Sequence, residues 1–161
     1  MVNPLQSSIT DQDLNECAKS YMGFSELRKG QCEVMRSILN GRDSLVLWAT
    51  GQGKSLCYQL PALLTGKTVL VVSPLISLMN DQVVQLNAKL GCNAAGLPPA
   101  CLVGSSQRDP QVEADALAGK YRLVYVTPEK LTGSGFVEAL LPLSRQGGIL
   151  LCAVDEAHCC S

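Results

Sequence analysis

The chain has 161 residues, a length that fits one globular domain. With 47% hydrophobic and 17% charged residues it can bury a core, which excludes disorder as a description of the whole. A formal net charge of −1 excludes a uniformly basic surface, so any nucleic-acid contact must come from local backbone donors, hydroxyls and a few cations.

In chain order, residues 1–12 carry no apolar periodicity and read as loose, while 13–20 and 29–40 read as two helices. From residue 44 onward short apolar runs alternate with helical patterns. The runs 44–48, 68–73, 101–104, 123–127 and 149–154 read as strands, and 54–64, 76–90, 111–117 and 136–143 as the helices between them. Pro74, Pro110 and Pro128 fall near element boundaries, where proline is tolerated, and 91–99 reads as a surface loop. Such alternation predicts an α/β fold with a mostly parallel sheet and helices on both faces. Eight cysteines occur without a C-x-x-C pair or a preceding signal peptide, so they read as reduced, mostly buried thiols. Adjacent ligands such as His158, Cys159 and Cys160 cannot easily take separate corners of a tetrahedron, and no second pair faces them, so zinc is not expected. Lys67, Pro74 and Asp81 break the long apolar stretches, and no membrane span is expected. The reading is of a soluble, intracellular protein.

Two segments carry chemistry. Thr50-Gly51-Gln52-Gly53-Lys54-Ser55 lies between an expected strand and an expected helix, the setting of a phosphate-binding loop. Glycines there let backbone amides point at phosphates, Lys54 would reach the β- and γ-phosphates of a nucleotide, and Ser55 would put its hydroxyl on magnesium. Trp48 occupies the position of the first glycine in the strict pattern, a departure from it. A glycine turn capping a helix is the plainer reading of this segment alone. The second segment is Asp155-Glu156-Ala157-His158 at the end of the apolar run 149–154, where carboxylates face the ligand crevice of an open α/β sheet. Asp155 would hold magnesium, Glu156 would orient or deprotonate an attacking water, and His158 would link the site to moving parts. The alternative is a solvated acidic turn.

Around these segments the sequence resembles one family. Thr50-Gly51-Gln52-Gly53-Lys54-Ser55-Leu56-Cys57-Tyr58-Gln59-Leu60-Pro61-Ala62 is similar to motif I of RecQ-family helicases, which are superfamily 2 enzymes. Ser73-Pro74-Leu75-Ile76-Ser77-Leu78-Met79-Asn80-Asp81-Gln82-Val83 resembles their motif Ia, and Tyr125-Val126-Thr127-Pro128-Glu129-Lys130-Leu131 their motif Ib. Asp155-Glu156-Ala157-His158-Cys159 looks like motif II. Phe24, Leu27, Arg28, Gly30 and Gln31 match the adenine-recognising motif 0, with Lys29 where the family often has proline.

The resemblance implies a RecA-like P-loop lobe truncated after motif II, with residues 1–20 as an extension and 21–161 as a partial ATP-binding domain. It further implies ATP and magnesium as cofactors and an ATP-dependent DNA helicase moving 3′ to 5′ as the parent. Phe24 could stack on adenine, Arg28 could add a cation contact, and Gln31 could offer its amide to the base edge. Ser73, Ser77 and Thr127 resemble the residues that track one DNA strand, although helix capping suits the same hydroxyls. Family members place a strand bearing motif III between the phosphate-loop strand and the acidic strand. Without it, 44–48 and 149–154 would present unpaired edges, and residues 1–161 are not expected to be stable or to unwind DNA alone. The second lobe and its arginine finger are likewise absent from these residues. Repair and recombination, in a nucleus if the source is eukaryotic and in the cytoplasm or nucleoid if bacterial, complete the expectation. Two other classes stay open: a different P-loop enzyme such as a small-molecule kinase, and a non-catalytic product or interaction fragment.

Overall fold

The computed structural model describes residues 9–104, 107, 109–133 and 135–157. The chain divides into two compact units, 1–65 and 66–161.

The first unit is helical. Helix α1, Asp11–Cys17, starts at a capping box: Thr10 Oγ1 accepts from the Asp13 backbone N–H at 3.2 Å, and Asp13 Oδ2 accepts from the Thr10 N–H at 2.7 Å. Its apolar side buries Leu14 and Cys17, and it runs on into a π-helical turn, Ala18–Met22, ended by Gly23 at φ 70°. Helices α2, Gln31–Leu39, and α3, Leu56–Thr65, pack on each other, and α1 packs against α3. The three helices share a small core that includes Leu14, Met35, Leu39 and Leu60, each at most 2% exposed.

One expectation fails here. Residues 44–48 form no strand; Leu45 and Leu47 are 82% and 84% exposed, while Val46 and Trp48 are half-buried. Their alternation is that of a strand, but a strand is completed by a partner edge, and β-propensity alone does not supply one. No backbone ladder engages these residues among the described ones. Amide exchange should register the difference, with 44–47 exchanging orders of magnitude faster than 69–72. Comparable protection at both places would mean that a ladder forms at 44–48 in solution.

The second unit is a four-stranded parallel sheet: β1, Thr68–Val72; β2, Ala100–Val103; β3, Leu123–Val126; and β4, Ile149–Val154, in the spatial order β2-β3-β1-β4. The connections carry α4, Ile76–Leu90, α5, Pro110–Leu117, and the pair α6, Pro128–Gly133, and α7, Phe136–Arg145. One sheet face packs Leu70, Val72, Cys101, Val103, Val124 and Val126 against Ala116, Phe136 and Leu140 from α5 and α7. Alternate residues, Val69, Val71, Leu102 and Tyr125, point to the opposite face, and α4 packs against β2 and buries Met79 and Leu86. Asn87 on α4 pins the edge strand β2: its Nδ2 donates to the Ala100 carbonyl at 2.9 Å and its Oδ1 accepts from the Ala100 N–H at 3.0 Å.

Strands β1 to β3 are buried along their whole length, as the continuous apolar runs imply. Strand β4 departs from that pattern. It is an edge strand with Cys152 exposed and Val154 54% exposed, so its uninterrupted hydrophobicity does not mark double coverage. Helix α6 was not anticipated, being too short for its periodicity to register. No described helix is long and apolar enough to cross a membrane.

Candidate nucleotide site

The glycine-rich loop precedes α3 in the first unit. Gly51 and Gly53 both hold φ 80°, a region that L side chains rarely adopt, and Thr50, Gly51 and Gln52 are exposed while Gly53, Lys54 and Ser55 are half-buried. Lys54 and Ser55 lie in the turn that opens the helix, and the Ser55 carbonyl accepts from the N–H groups of Tyr58 and Gln59 at 3.2 and 3.0 Å. Lys54 Nζ donates to the carbonyls of Trp48, at 2.8 Å, and Ala49, at 3.3 Å. The loop thus folds around its own lysine.

The segment likened to motif 0 lies against this loop. Gln31 is 2% exposed, and both ends of its amide are engaged: Oε1 accepts from the Arg28 N–H at 2.7 Å, and Nε2 donates to the Gly53 carbonyl at 3.0 Å. The Arg28 guanidinium donates to the Gly51 carbonyl. Arg28 and Gln31 therefore brace the two left-handed glycines, a role the sequence did not suggest. Its one signal would have been the spacing of two long polar side chains around the Gly30 turn. Phe24 is 48% exposed. Cys57 Sγ approaches the Gly53 carbonyl at 3.9 Å, and burial pushes its thiol up to about 11, so it stays protonated at neutral pH. Cys17 and Cys101 are also buried free thiols, Cys32 is half-buried, and Cys92 and Cys152 are exposed; Cys159 and Cys160 lie outside the described residues. No group of three metal-ligating side chains occurs among the described residues.

The second unit gathers the other candidates on one rim. Val72 pairs in register with Val126 on one side and Val154 on the other, so Thr127, Ser73 and Asp155 follow at the C-terminal ends of three adjacent strands. The Ser73 N–H donates to the Val126 carbonyl at 3.2 Å, and the Asp155 N–H to the Val72 carbonyl at 2.9 Å. Glu156 has φ 53°, an uncommon conformation for a residue with a side chain, and its N–H donates to Asp155 Oδ1 at 3.0 Å. Ser73 and Thr127 are 2% and 8% exposed. The Thr127 hydroxyl accepts from the Lys130 N–H at 3.4 Å, as a cap on α6 would, while the Ser73 hydroxyl accepts from the Leu75 N–H at 3.3 Å in a local turn ahead of α4, and Ser77 is exposed. His158 lies outside the described residues.

A parallel α/β sheet with an acidic strand end on its carboxyl rim, in a chain with a glycine-rich loop ahead of a helix, defines the RecA-like class of nucleotide-binding lobes. Residues 28–161 match the family described as DEAD/DEAH box helicase, and the chain belongs to that family. It is similar to the ATP-dependent DNA helicase Q-like SIM of Arabidopsis thaliana, with 43% identity over 96% of this chain and 17% of the relative. It also resembles the bifunctional 3'-5' exonuclease/ATP-dependent helicase WRN of Mus musculus, at 47% identity over 90% of this chain and 10% of the relative. With the ATP-dependent DNA helicase RecQ of Haemophilus influenzae it shares 44% identity, over 99% of this chain and 25% of that protein. The chain therefore spans a quarter or less of the length of these three relatives.

Proposed function

We propose that this chain is the ATP-binding portion of a RecQ-type DNA helicase that couples hydrolysis to 3′-to-5′ unwinding. The observation that carries this reading is the loop itself, in which two glycines at φ 80° flank Gln52 and lead directly into Lys54 and Ser55 at the start of α3. That backbone suits close approach of phosphate oxygens, and the helix start adds favourable potential. Lys54 would contact the β- and γ-phosphates, Ser55 and Asp155 would hold magnesium, and Glu156 would orient the attacking water, with His158 linking the site to moving parts. The metal, when bound, neutralises charge developing on the transferred phosphoryl group. Thr50, Gly51, Gln52 and Gly53 would line the phosphates. Phe24, Arg28 and Gln31 would meet the adenine once the Gln31 amide exchanges its present partners for the base edge.

Ser73, Ser77 and Thr127 are the proposed DNA contacts, of which the exposed Ser77 is immediately available. Residues 21–161 form the helicase portion and 1–20 an extension, although the burial of Leu14 and Cys17 ties that extension into the first unit's core. Unwinding requires a second lobe closing on the strand, so residues 1–161 by themselves bind nucleotide without separating strands. Roles in DNA repair and recombination, and a nuclear place in a eukaryotic cell, accord with this reading. Calorimetric titration with ATP and magnesium should give saturable binding, weaker with GTP because guanine presents a different edge to Gln31. Equal affinity for GTP would remove the adenine-reading role, and no binding of either would overturn the assignment.

A further inference from the structure

Trp48 is the sole tryptophan, and it stands where the strict phosphate-loop pattern has glycine. Three features converge on it. Its indole lies over Gly30, so closely that a methyl placed on that glycine would be 3.0 Å from ring atom Cζ2. Gly30 has φ 88° and immediately precedes α2 and Gln31, so the indole covers the turn from which the Arg28 and Gln31 braces project. The Trp48 carbonyl accepts from Lys54 Nζ at 2.8 Å, the shorter of the two bonds that hold this ammonium. Leu45 and Leu47 offer no comparable anchor: they are 82% and 84% exposed and no ladder engages them among the described residues.

We infer that Trp48 is a positioning residue for the nucleotide site, its indole fixing the approach to the loop against the Gly30 turn and its carbonyl setting where Lys54 rests. The inference builds on the nucleotide-binding reading above. Phosphate engagement at Nζ exchanges the bond to the Trp48 carbonyl for a bond to phosphate oxygen, and a Gln31 amide turning towards a base alters the turn beneath the indole. Both events therefore change the surroundings of the same ring. With the ring removed, residues 44–49 lose their anchor, and part of the binding free energy goes into ordering the loop.

The sole tryptophan makes the test direct. Emission of the wild-type chain should shift on adding ATP with magnesium, saturating at the same concentration as calorimetric binding. Trp48→Ala should weaken ATP binding about tenfold, equivalent to about 1.4 kcal/mol, and Trp48→Phe should recover only part of that loss because the ring atoms nearest Gly30, Cζ2 and Cη2, are ones a phenyl lacks. Wild-type ATP binding with unchanged tryptophan emission would overturn the positioning role while leaving the nucleotide site intact. So would a folded Trp48→Ala variant that binds ATP as the wild type does. A wild-type chain that binds no nucleotide at all would instead sink the underlying site assignment. If Trp48→Ala does not fold, the emission titration and the Trp48→Phe affinity decide the matter between them.

Discussion

Lys54→Ala is expected to weaken nucleotide binding by at least about thirtyfold while leaving the fold of the first unit in place. The asymmetry follows from what Nζ does. In the structure it donates to two carbonyls, Trp48 and Ala49, of which the Ala49 contact is long at 3.3 Å and open to solvent. Removing such bonds costs about 0.5–1.5 kcal/mol each, because water can replace the donor. Against a nucleotide the ammonium would meet the most highly charged part of the ligand. Truncating one partner of a buried, hydrogen-bonded charge pair costs about 2–5 kcal/mol or more, and every 1.4 kcal/mol is about tenfold in affinity. The predicted loss therefore runs from about thirtyfold to several thousandfold, with only a small shift in the unfolding midpoint. Parallel calorimetric titrations and denaturant melts of both chains provide the check. Equal ATP affinity in the two would show that the loop does not hold phosphates through this residue.

Much of this arrangement is legible in the residues because several local signals agree. Strands β1, β2 and β3 are short apolar runs bounded by turn residues, and they are buried throughout. The acidic group following residue 154 lands on the sheet's carboxyl rim beside Ser73 and Thr127, because parallel strands in this register end together. What is not legible is whatever depends on partners distant in sequence. Residues 44–48 have the continuous apolar run of a buried strand, but pairing belongs to the ladder and not to the segment. The composition of β4 does not reveal that it is an edge strand with one side open. Gln31 shows the same limit at the level of one side chain. Its donor and acceptor can be read from its chemistry, yet nothing local says that the Gly53 carbonyl and the Arg28 N–H take them. For Thr127 the capping alternative describes its present bond, whereas Ser73 closes a local turn just before α4 and caps nothing.

Gly53→Ala is expected to be far more damaging than Gly51→Ala, although both glycines hold φ 80°. Forcing a residue with a side chain into that region costs about 1–3 kcal/mol at either position. The surroundings then separate the two. A methyl on Gly51 would meet nothing within 4 Å, whereas one on Gly53 would lie 2.5 Å from Gln31 Nε2. That amide cannot swing aside without consequence, because Gln31 is 2% exposed and is bonded to both the Gly53 carbonyl and the Arg28 N–H. Displacing it strands a buried polar group, at about 1–3 kcal/mol, and shifts the loop carbonyl that the amide braces. Gly53→Ala should thus lose about 2–6 kcal/mol of stability, a large share of the 5–15 kcal/mol typical of a domain, and its ATP affinity should fall well below that of Gly51→Ala. Side-by-side denaturant melts and ATP titrations measure both effects. Adding Gln31→Ala makes room for the methyl, so that change should be less costly in the Gly53→Ala background than in the wild type, a coupling a double-mutant cycle resolves. Strictly additive effects, or equal losses at Gly51 and Gly53, would mean that Gln31 does not hold the loop in the way its two hydrogen bonds indicate.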